Sequence, residues 1–306
     1  MPPDSPHANS IERRRLPVVA PYRLDLTANV LRRLSSNVVD RFSADGAYSR
    51  ALDGFSTPVV VTVRQSAADA LEVELDAPPG ESERALALVS RMLGVDRDMR
   101  RFDRRAAKIP WLRALAKRMR GVKPPRYPTL WEACVNAVVF QQISLFAAAA
   151  ILQRVIEALG IAVVHAGDRL YAFPTPQAML GASDETLART GLSVGKYTTL
   201  KRVADAIVSG TLDEAMLEER PSPDSAALLT AIKGIGPWTA AVILLRGLGR
   251  LDAFPMNDSG IARGLTRLNA GAVDLDAALE ILGDQRGMLY YHVLLSWLDS
   301  RGELPK

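Results

Sequence analysis

A single cysteine and the lack of any long hydrophobic run narrow the functions open to this 306-residue chain. Cys134 has no partner for an internal disulfide, and one thiol cannot hold a cysteine-built zinc or iron–sulfur centre within the chain. A reducing compartment fits that usage. No segment offers the roughly 18 uninterrupted apolar residues of a membrane span. The first twenty residues carry Pro2, Pro3, Pro6 and the run Arg13-Arg14-Arg15, without the apolar core of a secretory leader, and are expected to form a disordered tail. What remains, at 48% hydrophobic and 24% charged residues, is the composition of a globular chain with one or two cores.

Acidic residues are nearly missing from one stretch. Between Arg100 and Arg126 eleven lysines and arginines face Asp103 alone, a local charge of +10 within a chain whose net charge is +4, so the remainder is net negative. Such a segment is either a solvated basic helix or a surface that meets a polyanion.

Residues 21–95 read as an α+β unit. Thr57–Gln65 is rich in β-branched residues, and Leu71, Val73 and Leu75 alternate with Glu72, Glu74 and Asp76, which predicts a strand with one wet face. A Pro-Pro-Gly turn at 78–80 precedes a helix with Ala85, Leu86, Val89, Met92 and Leu93 on one stripe. From 96 to 306 the signals are helical. Thr129-Leu-Trp-Glu132 has the form of a capping box, and Thr175-Pro176 and Ser222-Pro223 look like caps followed by proline at the first helical position. The apolar helix through Val135, Val138 and Val139 is interrupted by Gln141, Gln142 and Ser144.

The most informative stretch runs from Leu228 to Leu248. A helix with Leu228, Leu229 and Ile232 inward stops at Gly234, and another begins at Pro237. Gly234 and Gly236 permit unusual backbone angles and close approach of another backbone, and Ile235 can plug the gap between the helices. The free amides at the start of the second helix suit a phosphate oxygen.

With Ile232-Lys-Gly-Ile-Gly-Pro-Trp-Thr-Ala240 followed by Asp252-Ala-Phe-Pro-Met-Asn-Asp258, the chain resembles the helix-hairpin-helix (HhH-GPD) superfamily of DNA glycosylases. Phe140-Gln-Gln-Ile-Ser144, Phe173-Pro-Thr-Pro-Gln177 and Gly191-Leu-Ser-Val-Gly-Lys196 resemble further segments of that family, and the start at Pro21-Tyr22 is similar to the bacterial inducible 3-methyladenine glycosylases. The resemblance implies an α+β fold: a TATA-binding-protein-like antiparallel sheet, then an all-helical glycosylase core of two subdomains. It also implies a monomer in the bacterial cytoplasm, at the nucleoid, whose partner is duplex DNA with damaged bases.

The implied chemistry assigns roles. A stacked base cannot be cut from its sugar, so the nucleotide must be extruded and the gap filled. Gln142 or Ile143 would be the wedge, with a kinked polar helix as the other reading. Asp258 would stabilise positive charge developing on the sugar and orient the attacking water, although an aspartate before a helix is also an ordinary cap. Strand-nicking relatives carry a lysine two residues after the second hairpin glycine; Trp238 stands there, which implies hydrolysis without strand cleavage. Trp238, Tyr290 and Tyr291 would line the base pocket, where a π face attracts an electron-poor alkylated purine; core packing is the alternative for each. Lys233, Gly234, Ile235, Gly236 and Thr239 would meet the backbone of DNA. No metal is expected in the chemistry, while the carbonyls near Ile232 and Ile235 could bind Na⁺ or K⁺. Val242 and Ser259 depart from the family pattern and leave the lesion open: deaminated, oxidised or mispaired bases remain alternatives, as do a non-catalytic DNA-binding module and a helical protein-interaction domain.

Overall fold

A computed structural model describes residues 9–268 and 273–304. Five antiparallel strands, β1 (Ser10–Pro17), β2 (Arg41–Phe42), β3 (Tyr48–Leu52), β4 (Val59–Ala67) and β5 (Ala70–Ala77), form a sheet in the order β1-β5-β4-β3-β2. The alternation read in the sequence sets the register. Leu71, Val73 and Leu75 of β5 are fully buried and Val73 pairs with Val63 of β4, so one face of the sheet is core. Burying each such side chain contributes roughly 1.5–3 kcal/mol. The helix Ser82–Leu93 covers that face through Ala85, Val89 and Met92 and ends on Gly94 in the left-handed conformation.

The expected tail is corrected in part. Ser10–Pro17 is an edge strand, with Leu16 opposite Leu71 and Arg13 bonded to Glu74. An edge strand tolerates a run of cations because one of its sides faces water, so its charge concealed its pairing. Pro2, Pro3 and Pro6 lie outside the described residues.

The segment from 96 onward is not wholly helical. Ile161–His165 (β6) and Asp168–Ala172 (β7) form a hairpin, and Leu170 and Ala172 pack on Ala51 and Val60 of the main sheet. The sheet and the helices also share one helix. Leu24–Arg32 turns Leu24, Ala28 and Leu31 towards the sheet, and Leu26 and Val30 into the helical core. Across the same seam Arg50 of β3 bonds both Asp40 and Glu132, all three buried.

That seam alters the capping box. Thr129 accepts the Glu132 amide at 3.1 Å, but the Glu132 carboxylate turns to Arg50 instead of reciprocating, because a dry guanidinium needs its counter-charge. Burial pushes the Glu132 carboxyl up to about 7 against the pull of Arg50. Thr175 caps its helix as expected. At Ser222-Pro223 the cap falls one residue earlier, on Pro221, and the Ser222 hydroxyl bonds Asp252.

Candidate active site

The helices of the hairpin span Ser222–Thr230 and Pro237–Gly247, with Gly234 at φ +104° in the turn. A Cβ on Gly234 would lie 1.9 Å from Thr199 Oγ1, so glycine is required there both by backbone angle and by space. Ile235 is buried as the plug, Leu229 is fully buried, and Leu228, expected inward, is 38% exposed. Lys233 and Gly234 are exposed and Gly236 half-buried. Thr239 is corrected as a backbone contact: it is buried, and its hydroxyl accepts from Gln141 Nε2 at 2.8 Å.

The polar break in the apolar helix is a built turn. The helix Leu130–Val139 stops, Gln142 adopts φ +56°, and Ser144 caps the next helix, Leu145–Leu159, by accepting the Ala147 amide. Lys196 Nζ donates to the carbonyls of Val139 and Gln141 at 2.8 and 2.9 Å, satisfying acceptors that the broken helix leaves open. Gln141 Nε2 also donates to the Gly234 carbonyl at 3.0 Å, fastening this turn to the hairpin. The Gln142 side chain is left exposed at the tip, with Ile143 37% exposed beside it.

Asp258 precedes the helix Ser259–Leu268. Its Oδ1 accepts the amides of Gly260 and Ile261 at 2.8 and 2.9 Å, and its Oδ2 accepts Trp238 Nε1–H at 2.9 Å. The capping reading holds and leaves room for a second role: three donors fix the carboxylate, and of its roughly four lone-pair positions one remains for a ligand.

This carboxylate faces a cavity of about 1010 Å³, between the hairpin, the Gln142 turn and the helix Gly287–Ser300. Trp238 and Tyr290 line it, as do Val242 and Ser259, the positions read as departures from the family pattern. Burial pushes the Tyr290 hydroxyl up to about 12, opposed by the charge of Arg33 and helped by that of Asp258. Tyr291 is corrected: it is fully buried behind Tyr290, edge-on at 5.8 Å, and donates its hydroxyl to the Leu245 carbonyl at 3.1 Å. Alternate faces of one helix divide the pair between cavity and core.

Sequence reasoning missed other residues. Phe146 and Trp297, 5.7 Å apart, line the outer part of the cavity, with Arg301 over both rings. Among the described residues the cations of the lining are Arg33, Arg263 and Arg267, not members of the basic stretch. In that stretch Arg101 and Arg105 bond Asp284, Arg126 bonds Glu214 and Glu218, and Lys123 is buried. Much of the local charge is therefore neutralised within the fold. Arg33 did leave a trace, since it continues the Leu26–Val30 stripe at helical spacing, where an apolar residue would be ordinary.

Fold and site together define a helix-hairpin-helix protein with an aspartate beside the hairpin. Residues 135–278 match the model of the HhH-GPD superfamily base excision DNA repair proteins, and this part of the chain is a domain of that superfamily. Among individual relatives, it is 28% identical over 183 residues to a DNA-3-methyladenine glycosylase of Bacillus subtilis, a match covering 60% of each chain. It is 27% identical over 220 residues to DNA-3-methyladenine glycosylase 2 of Escherichia coli, covering 70% of this chain and 74% of that one. A 3-methyladenine DNA-glycosylase structure from Archaeoglobus fulgidus superposes with a TM-score of 0.77 at 25% identity, over 94% of this chain and 99% of that one. Among the described residues, no helix is long and apolar enough to cross a membrane.

Proposed function

We propose that this chain is a monofunctional DNA glycosylase: it extrudes a damaged base, an alkylated purine such as 3-methyladenine, from duplex DNA and hydrolyses its N-glycosidic bond. One observation carries the reading. The Asp258 carboxylate, held by three N–H donors, faces an aromatic-walled cavity next to a glycine turn whose backbone is exposed. As the bond between C1′ and the base nitrogen breaks, its electron pair leaves with the base and positive charge grows on the sugar. A fixed carboxylate stabilises that charge more than it stabilises the neutral ground state. Water then adds to C1′, and its proton passes to the free position on Asp258 and on to solvent. An alkylated purine departs as a neutral base, so no strong general acid is required.

The lining supports hydrolysis over strand cleavage. No lysine among the described residues lines the cavity, and Lys196, the nearby amine, is engaged by two carbonyls. Gln142, on its rigid turn, is suited to fill the space left by the extruded nucleotide. Lys233 and the amides of Gly234 and Gly236 would meet phosphates, with an affinity that falls as salt rises. A Na⁺ or K⁺ ion at the hairpin would use the Ile232 and Ile235 carbonyls. The first already accepts the Ile235 amide at 3.0 Å and keeps a second lone pair.

Asp258→Asn tests the reading. It keeps an acceptor for the helix amides, so duplex binding should persist while release of 3-methyladenine from methylated DNA falls at least about a hundredfold, the scale of lost electrostatic stabilisation. Wild-type product DNA should stay unnicked until treated with alkali. Equal base release by the two forms overturns the assignment.

A further inference from the structure

Arg33 is 7% exposed, lines the cavity, and holds its guanidinium 4.1 Å from the Phe140 ring. Its Nε and Nη1 have no acceptor among the described residues. Arg50 at Nε and Arg246 at Nε and Nη1 also carry unpaired N–H groups, but each of these arginines has acceptors for its other donors, and the Arg33 guanidinium has none among the described residues. Arg50 has two carboxylates, and Arg246 donates to the Val30 carbonyl and lies over Tyr127, away from the cavity. The backbone at Arg33 is also unusual, at φ +60°, just where the helix Leu24–Arg32 ends and its last turn meets the cavity wall. A buried donor without an acceptor is costly, and a π face offsets the charge but satisfies no N–H.

The balance of charge in the lining sharpens the point. Among the described residues of the lining Asp258 is the one carboxylate, against the guanidinium groups of Arg33, Arg263 and Arg267, so attraction for a cationic purine cannot by itself select the base. Arg33 supplies what a selective contact needs: donors only, in a planar fork held against the Phe140 ring.

We propose that Arg33 is a specificity-determining residue whose guanidinium donates to the 6-oxo oxygen of the extruded purine, so that the site favours 6-oxo purines over 6-amino purines. A 6-amino group presents N–H to N–H at the same position and leaves the guanidinium unsatisfied. This rests on the glycosylase reading above, and the test separates the two.

Dimethyl-sulfate-treated DNA carries both 7-methylguanine, with a 6-oxo group, and 3-methyladenine, with a 6-amino group, and both lesions are cationic. Chromatography of the bases released in a single reaction therefore yields their ratio with charge held constant. Arg33→Met should lower the ratio of 7-methylguanine to 3-methyladenine released roughly 10- to 100-fold, the scale of one charge-assisted hydrogen bond. A duplex containing neutral hypoxanthine should show the same loss. Arg33→Lys keeps the charge without the planar fork and should give an intermediate ratio at a melting temperature near that of wild type, which guards against misfolding of the Met variant. An unchanged ratio in the Lys variant, or an equal fall of both bases in both variants, overturns the role of Arg33 and leaves the glycosylase reading standing. If the wild type releases neither base, the glycosylase reading itself fails.

Discussion

Replacing Gly234 by alanine strikes the hairpin turn twice. The new Cβ would meet Thr199 at 1.9 Å from Oγ1, 2.8 Å from Cγ2 and 2.9 Å from Cβ, and the residue would have to hold φ +104°. Thr199 cannot easily retreat, being buried and donating its hydroxyl to the Gly195 carbonyl at 2.8 Å. Overpacking costs about 1–3 kcal/mol, and a side chain in a sparsely populated backbone region about 1–3 kcal/mol. The reduced freedom of the unfolded chain returns about 0.4–1 kcal/mol. The expected net loss is therefore about 1–5.6 kcal/mol, read as a lower urea midpoint with the slope of the transition unchanged. Thr199→Ala removes the two nearest atoms but not the third, so it should rescue only the steric part. In a double-mutant cycle, Gly234→Ala with Thr199→Ala should be less destabilised than the sum of the single variants by about 1–2 kcal/mol. Additivity within about 0.5 kcal/mol would refute the steric account, and a loss below about 1 kcal/mol for Gly234→Ala alone would refute both parts.

His292 and Lys196 offer two further tests. His292 is fully buried against Phe102, donates Nδ1–H to the Met288 carbonyl, and is pushed down to about 4 by burial. Its folded value lies below its unfolded value, so the unfolded chain binds the extra proton between about pH 6.5 and 4, and stability should fall by up to about 3 kcal/mol as pH drops through that window. His292→Phe should flatten this dependence in melts at stepped pH, and an unchanged slope would assign it elsewhere. Lys196→Met removes both donors from the carbonyls behind Gln142. It should cost about 1.5–3 kcal/mol and lower base excision about tenfold while leaving non-specific duplex binding unchanged; wild-type excision by this variant would show that the turn needs no such brace.

What could be read from the chain was what is written locally. The alternation of Leu71, Val73 and Leu75 marks β5, and the glycine pair at 234 and 236 marks the hairpin; both are imposed by neighbours a few residues away. Asp258 could be picked out because a recognisable hairpin lies twenty residues upstream of it, at Trp238, the residue whose indole it bonds. The partners of Arg50, Gln141 and Lys196 lie 82, 93 and 57 residues away, and no periodicity encodes such distances. β1 was hidden by its own arginines. Tyr290 and Tyr291 were indistinguishable as neighbours, because the azimuth of one helix decides which ring reaches the cavity and which hydroxyl reaches Leu245.

The Asp40–Arg50–Glu132 cluster joins chain segments that a map of the sequence would assign to separate modules. Its members are hostages to the arginine they share: replace Arg50 and two carboxylates are stranded where water cannot reach them. Drift at these sites should therefore come in concerted steps, and an attempt to graft this helical half onto another sheet would have to carry a matching arginine with it.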